Sequence, residues 1–87
     1  MIYMDLTLED NRIMGRLNEQ NEWDVHVMDL PTSKSFTAKM TNDQFNAALI
    51  LAMAGEDGLI DETTKTKLYE IVEPIFANRP KECRYVP

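Results

Sequence analysis

The sequence predicts an α+β fold: a four-stranded antiparallel β-meander over about residues 2–40, then an αα-hairpin (about 42–54 and 62–77) packed on one face. Three observations carry this expectation. Apolar residues recur at every second position from Ile2 to Met40, the spacing turns helical after Thr41, and polar clusters punctuate the pattern where turns are needed. The 87 residues support a single core, so residues 1–78 are read as one domain and 79–87 as a C-terminal tail or edge strand.

In the first strand Ile2, Met4, Leu6 and Leu8 alternate with Tyr3, Asp5, Thr7 and Glu9. Asp10 and Asn11 suit a two-residue turn, because both tolerate φ > 0. Ile13, Gly15 and Leu17 then share one side of a second strand, and Asn18 to Asn21 reads as a loop. Trp23, Val25 and Val27 point inward from a third strand. After the break at Leu30-Pro31-Thr32-Ser33, Phe36, Ala38 and Met40 point inward from a fourth.

Register must set inward residues opposite inward residues. A turn at Asp10-Asn11 places Leu8 against Ile13, Leu6 against Gly15 and Asp5 against Arg16. Leu17 opposite Trp23 and Val25 opposite Ala38 complete the meander. The outer face then carries a ladder of alternating sign, Asp5–Arg16–Asp24–Lys39, each pair worth about 0.2–1 kcal/mol.

The first helix has a full start signal. Thr41 and Gln44 form a capping box, Met40 can staple onto Phe45, and Asp43 complements the dipole. Its apolar residues fill two stripes, so the helix is expected to be covered on most sides or to lie in an interface. Gly55 ends it, Asp61 caps the second helix, and Pro74 bends that helix or stops it near Glu73. Residues Cys83 to Val86 are read either as a short fifth strand or as a mobile arm.

Charge and composition narrow the function. The formal net charge is −6 and the pI about 4.6, which argues against a basic nucleic-acid-binding footprint and favours partners with basic surfaces. Residues 1–31 hold seven acids against two bases, and residues 56–78 hold six against two. A single cysteine, Cys83, rules out an internal disulfide framework and points to a reducing compartment. The N-terminus lacks a signal-peptide pattern and no stretch has the length of a membrane span, so a cytoplasmic location is expected. His26 is the sole histidine, and no nucleophile elbow, phosphate loop or metal-spaced His/Cys cluster occurs. No catalytic residue, metal ligand or cofactor is expected, and the chain is read as a non-enzyme.

The stretch AMAGEDGLIDETTKTKLYEIV resembles the helix–acidic loop–helix of TerB-like domains and, more remotely, an EF-hand, over residues 45–72. TerB-like domains are all-helical and longer, whereas the first half of this chain reads as strand. With Gly58 at the sixth position of a calcium loop, the first, third and twelfth positions become Met53, Gly55 and Thr64. Calcium needs oxygen ligands at all three, so calcium binding is not expected. In overall style, small, acidic and lacking catalytic constellations, the chain resembles accessory and inhibitor proteins of phages and mobile elements.

The functional expectation is therefore protein binding: a phage-type or anti-defence inhibitor that imitates nucleic acid and occupies a basic surface of a host protein. The carboxylates expected to meet the partner are Glu19, Glu22, Asp24 and Asp29 near the strand loops, with Glu56, Asp57, Asp61 and Glu62 on the helical turn. The alternative is a self-assembling structural or chaperone-like component, for example in virion morphogenesis, dimerising through the apolar helix.

Overall fold

The computed structural model describes residues 2–55 and 57–83 and consists of an antiparallel meander followed by two packed helices. The strands are β1 (Tyr3–Leu8), β2 (Asn11–Leu17), β3 (Trp23–Asp29) and β4 (Ser35–Met40), in sheet order β1-β2-β3-β4. Helices α1 (Asn42–Ala54) and α2 (Glu62–Val72) follow, and a 3₁₀ turn spans Glu73–Phe76. The expected α+β architecture is the observed one. Among the described residues, the turn and loop positions Glu9, Asn21, Ser33 and Gly58 take positive φ.

The alternation seen in the sequence becomes a sheet with two unlike faces. Met4, Leu6, Leu8, Ile13, Trp23, Val25, Val27 and Met40 are buried on the helix side. Tyr3, Asp5, Thr7, Arg12, Arg16, His26, Thr37 and Lys39 are exposed on the other. Ile2 has inward parity but is 59% exposed.

Two of the three registers are as expected: Leu17 pairs with Trp23, and Val25 with Ala38. The first hairpin is shifted in register by two residues. Leu8 pairs with Asn11, Leu6 with Ile13 and Met4 with Gly15, so the turn residues are Glu9 and Asp10 rather than Asp10 and Asn11. Asn11 is 3% exposed and lies opposite Asp29, which has no exposed surface at all, so it belongs to the strand. Glu9 takes the positive φ, at 54°. A slip of two leaves every side chain on its face, which is why the alternation alone did not reveal it. The charge ladder changes accordingly. Tyr3, not Asp5, lies opposite Arg16, and Asp5 reaches diagonally to Arg12. Gly15 permits a close approach of β2 to β3, since a Cβ there would stand 2.4 Å from the Asp24 carbonyl oxygen.

Helix α1 begins as expected. The Thr41 hydroxyl accepts the Gln44 N–H at 3.1 Å, and the Gln44 side chain accepts the Thr41 N–H at 2.9 Å. Trp23 anchors this end: its indole N–H donates to Asn42 Oδ1 at 2.9 Å, and its ring lies 4.7 Å from that of Phe45. Gly55 caps α1 with its N–H on the Leu51 carbonyl, in an ordinary right-handed conformation. Asp61 caps α2 by accepting the Thr64 N–H at 2.7 Å. Pro74 removes an N–H donor from the helical path, and α2 gives way to the 3₁₀ turn at Glu73.

The two helices cover the sheet by crossing it in turn. From the end of β4, α1 runs to the β1 side, where Leu51, Ala52 and Gly55 approach Thr7, Leu8 and Glu9. From there α2 leads back to β4, with Tyr69 bonded to Glu9 near its middle and Phe76 against Phe36 beyond its end. Ala47, Ala48, Leu51, Tyr69, Val72, Ile75 and Phe76 close the core. The following chain turns back to the β3–β4 connection, where the Glu82 carbonyl lies 3.3 Å from Thr32 Oγ1 and Cys83 is buried. Of the segment Cys83 to Val86, read as a fifth strand or arm, residues 84–86 lie outside the described residues.

Candidate interaction surfaces

The expected acidic site divides into two groups at opposite ends of the sheet. Glu19 and Glu22 lie in the β2–β3 turn. Asn18 shapes that turn by accepting the N–H groups of Gln20 and Glu22 at 2.9 and 3.0 Å, and Asn21 takes φ 62°. Glu19 is exposed and Glu22 half-buried. The second group, Asp57, Asp61 and Glu62, is exposed on the connection between α1 and α2. That connection leaves Gly55 beside Thr7, Leu8 and Glu9, at the other end of the sheet. A seven-residue strand separates the two ends by about 20 Å.

The eight expected partner residues differ in their freedom to act. Asp29 is fully buried at the end of β3, where it accepts the Thr32 hydroxyl, so it is not a surface carboxylate. Its inward parity in β3 is the reason, and the expectation of a loop-end acid there is corrected. Asp24 is already engaged: Lys39 Nζ donates to it at 2.9 Å and Asn18 Nδ2 at 3.3 Å. The Lys39 ammonium, chiefly through that hydrogen bond, holds the Asp24 carboxyl below its ordinary range, with Asn18, Arg16 and the charge of Lys39 acting in the same direction. Asp61 is committed to capping α2, and hydrogen bonds from Thr64 lower its pKa. Glu56 lies outside the described residues. Glu19, Glu22, Asp57 and Glu62 remain as carboxylates available to a partner.

The outer sheet face is the second candidate. Among the described residues no helix covers it, and its side chains frame a shallow depression of ≈ 890 Å³ between Tyr3 and Lys39. One cross-strand row reads Asp5, Met14, His26, Thr37, and the next reads Tyr3, Arg16, Asp24, Lys39. Asp5 is held by Arg12 through a bidentate contact at 3.0 and 2.7 Å, and the Arg12 guanidinium lowers its pKa. The charged outward residues of the strands are Asp5 and Asp24 against Arg12, Arg16 and Lys39, a balance of +1, which leaves −7 for the rest of the chain. The acids are therefore concentrated in the connections, at Glu9 and Asp10, Glu19 and Glu22, and Glu56, Asp57 and Asp61, whereas the tail from Arg79 is net basic. Net charge by itself, spread over the whole chain, hid this segregation.

A third candidate is the solvent side of the hairpin. Ile50 and Met53, one turn apart on α1, are 44% and 69% exposed, and Leu59 in the connection is 73% exposed. The sheet and α2 thus cover one stripe of α1, around Ala47, Ala48 and Leu51, and leave part of the other in solvent.

Chemistry based on His26 and Cys83 would need the two side chains together, and they lie apart. His26 is exposed on the outer face between Met14 and Thr37. Cys83 is buried near Asp29, an inward residue at the end of β3, and burial raises its thiol pKa, with the charges of Asp29 and Glu82 acting in the same direction. Among the described residues no three His, Cys, Asp or Glu side chains cluster closely enough to hold a metal ion. No helix of the described residues is long and apolar enough to cross a membrane.

No protein-family model, no curated protein and no solved structure matches this chain.

Proposed function

We propose that this chain is a non-enzymatic protein-binding module that presents its two acidic ends to a basic surface on another protein, of the kind that otherwise holds nucleic acid. The observation that carries the reading is the charge segregation: a near-neutral sheet face, with −7 distributed over the remainder. Carboxylates grouped in turns at both ends of a domain 33 Å long can meet separated basic residues along one groove. Such a module works as a stoichiometric inhibitor by occupying the groove.

The structure selects the residues for the test. Asp61 is left intact because its loss would fray α2, and Asp24 because it serves the sheet. Glu19 and Glu22 are reversed to Lys in one variant and Asp57 and Glu62 in another; because Glu62→Lys also opposes the α2 dipole, the fold of each variant is checked alongside. Partner captured from a host lysate by the wild type should be lost with either pair of reversals while circular dichroism stays unchanged. Capture that survives both pairs would overturn the reading.

Self-assembly is the second reading, and the exposure of Ile50 and Met53 favours it. Replacing both with Gln would then abolish concentration-dependent oligomers without changing salt-sensitive heteromeric binding.

A further inference from the structure

The open edge of β1 is built to pair. The Leu17 N–H donates to the Ile2 carbonyl at 3.0 Å, which makes Ile2 and Leu17 a hydrogen-bonded pair of the β1–β2 ladder. Hydrogen-bonded pairs alternate along antiparallel strands. Met4, Leu6 and Leu8 therefore also direct their N–H and C=O groups to β2, while Tyr3, Asp5 and Thr7 direct theirs away from it. Among the described residues β2 is the only strand beside β1, so these six groups line an open edge.

Edges are normally blunted by Pro, Lys, bulges or covering segments. Strand β1 contains neither Pro nor Lys, and its register with β2 runs without a bulge from Tyr3 to Leu8. The opposite edge, β4, differs in carrying Lys39. The sequence of β1 also has a chemical symmetry about Asp5. Met4 and Leu6 flank it on the apolar face, and Tyr3 and Thr7 lie beyond them on the polar face.

We propose that β1 pairs antiparallel with β1 of a second copy across a two-fold axis at Asp5, joining two four-stranded sheets into one of eight. Tyr3 then lies opposite Thr7 of the other copy, and Met4 opposite Leu6, so apolar meets apolar and polar meets polar. All three outward residues of each copy, Tyr3, Asp5 and Thr7, find backbone partners. The one unfavourable contact, Asp5 against Asp5, is offset because each carboxylate carries the bidentate Arg12 guanidinium of its own chain. This inference is independent of the acidic ends, which do not lie on β1.

The test is sedimentation equilibrium of the full chain from micromolar to millimolar concentration, with the Thr7→Pro variant in parallel. The Thr7 N–H points to the open edge, so Pro there removes no bond of the monomer's own ladder. The wild type should reach twice 10.1 kDa while Thr7→Pro stays at 10.1 kDa with its circular dichroism unchanged. Backbone amides of Tyr3, Asp5 and Thr7 should exchange more slowly with deuterium as concentration rises, a readout that does not depend on any variant folding. A wild type that stays monomeric, a dimeric Thr7→Pro, or a dimer whose three edge amides remain unprotected would each overturn the proposal.

Discussion

The Tyr69 hydroxyl donates to Glu9 Oε1 at 2.8 Å, tying the middle of α2 to the first β-turn across sixty residues of sequence. Tyr69 is 8% exposed, and Glu9 occupies a left-handed backbone conformation at φ 54°. A non-glycine residue at such a φ costs of order 1 kcal/mol. The hydrogen bond to a charged acceptor offsets a cost of that size.

The pair therefore behaves non-additively. Tyr69→Phe should lower stability by about 1.5–3 kcal/mol, the worth of a hydrogen bond to a charged group. Glu9→Gly in the wild type should be nearly neutral, trading the bond for relief of the backbone. In the Tyr69→Phe background the same glycine should stabilise, because the bond is already gone. Urea unfolding of the four proteins in a double-mutant cycle checks this.

A second prediction concerns the junction of sheet and helix. Asn42 gives the Trp23 indole its acceptor at 2.9 Å, and Trp23 is 4% exposed. Asn42→Ala should cost about 1–3 kcal/mol by leaving a buried donor unsatisfied. Asn42→Asp, which keeps the acceptor, should restore most of that loss. Thermal unfolding of the two variants distinguishes the bond from a mere preference for Asn at the helix start.

The outer-face ion pairs give a pH dependence of defined sign. Asp5 and Asp24 have folded pKa values lowered below their ordinary value, by Arg12 and by Lys39 respectively. A depressed carboxyl contributes stability above its unfolded pKa of about 3.9, and that contribution disappears as pH falls through the folded value. Carboxyl chemical shifts should place both midpoints below that of a free Asp. Lys39→Met should raise the Asp24 midpoint and leave Asp5 unchanged. Both pairs are solvent-exposed, so the effect on overall stability is small.

Much of the fold was legible because alternation and capping are local signals. The Thr41–Gln44 box, the Asp61 cap and the end of α2 before Pro74 are written in consecutive residues. The registers of β2 with β3 and of β3 with β4 followed from matching Trp23, Val25 and their partners. The β1–β2 register did not, because a shift of two preserves the faces and the turn depended on Asn11 being held inside opposite Asp29. The same long-range burial removed Asp29 from the expected surface. Exposure of Ile50 and Met53 was also hidden, since it depends on how α2 crosses α1. Of the expected partner carboxylates, Glu19, Asp57 and Glu62 are exposed and Glu22 is half-buried, and they form two groups rather than one.

The most direct test of the acidic-module account is the salt dependence of capture by the immobilised wild-type chain. If separated carboxylates hold the partner, binding should weaken steeply as salt rises from low to several-fold physiological concentration, because screening acts on exposed charges. Reversal of Glu19, Glu22, Asp57 and Glu62 together should reproduce that loss at low salt. A partner that stays bound at high salt, and to the reversed protein, would contradict the account and move the binding surface to the apolar face around Ile50 and Met53.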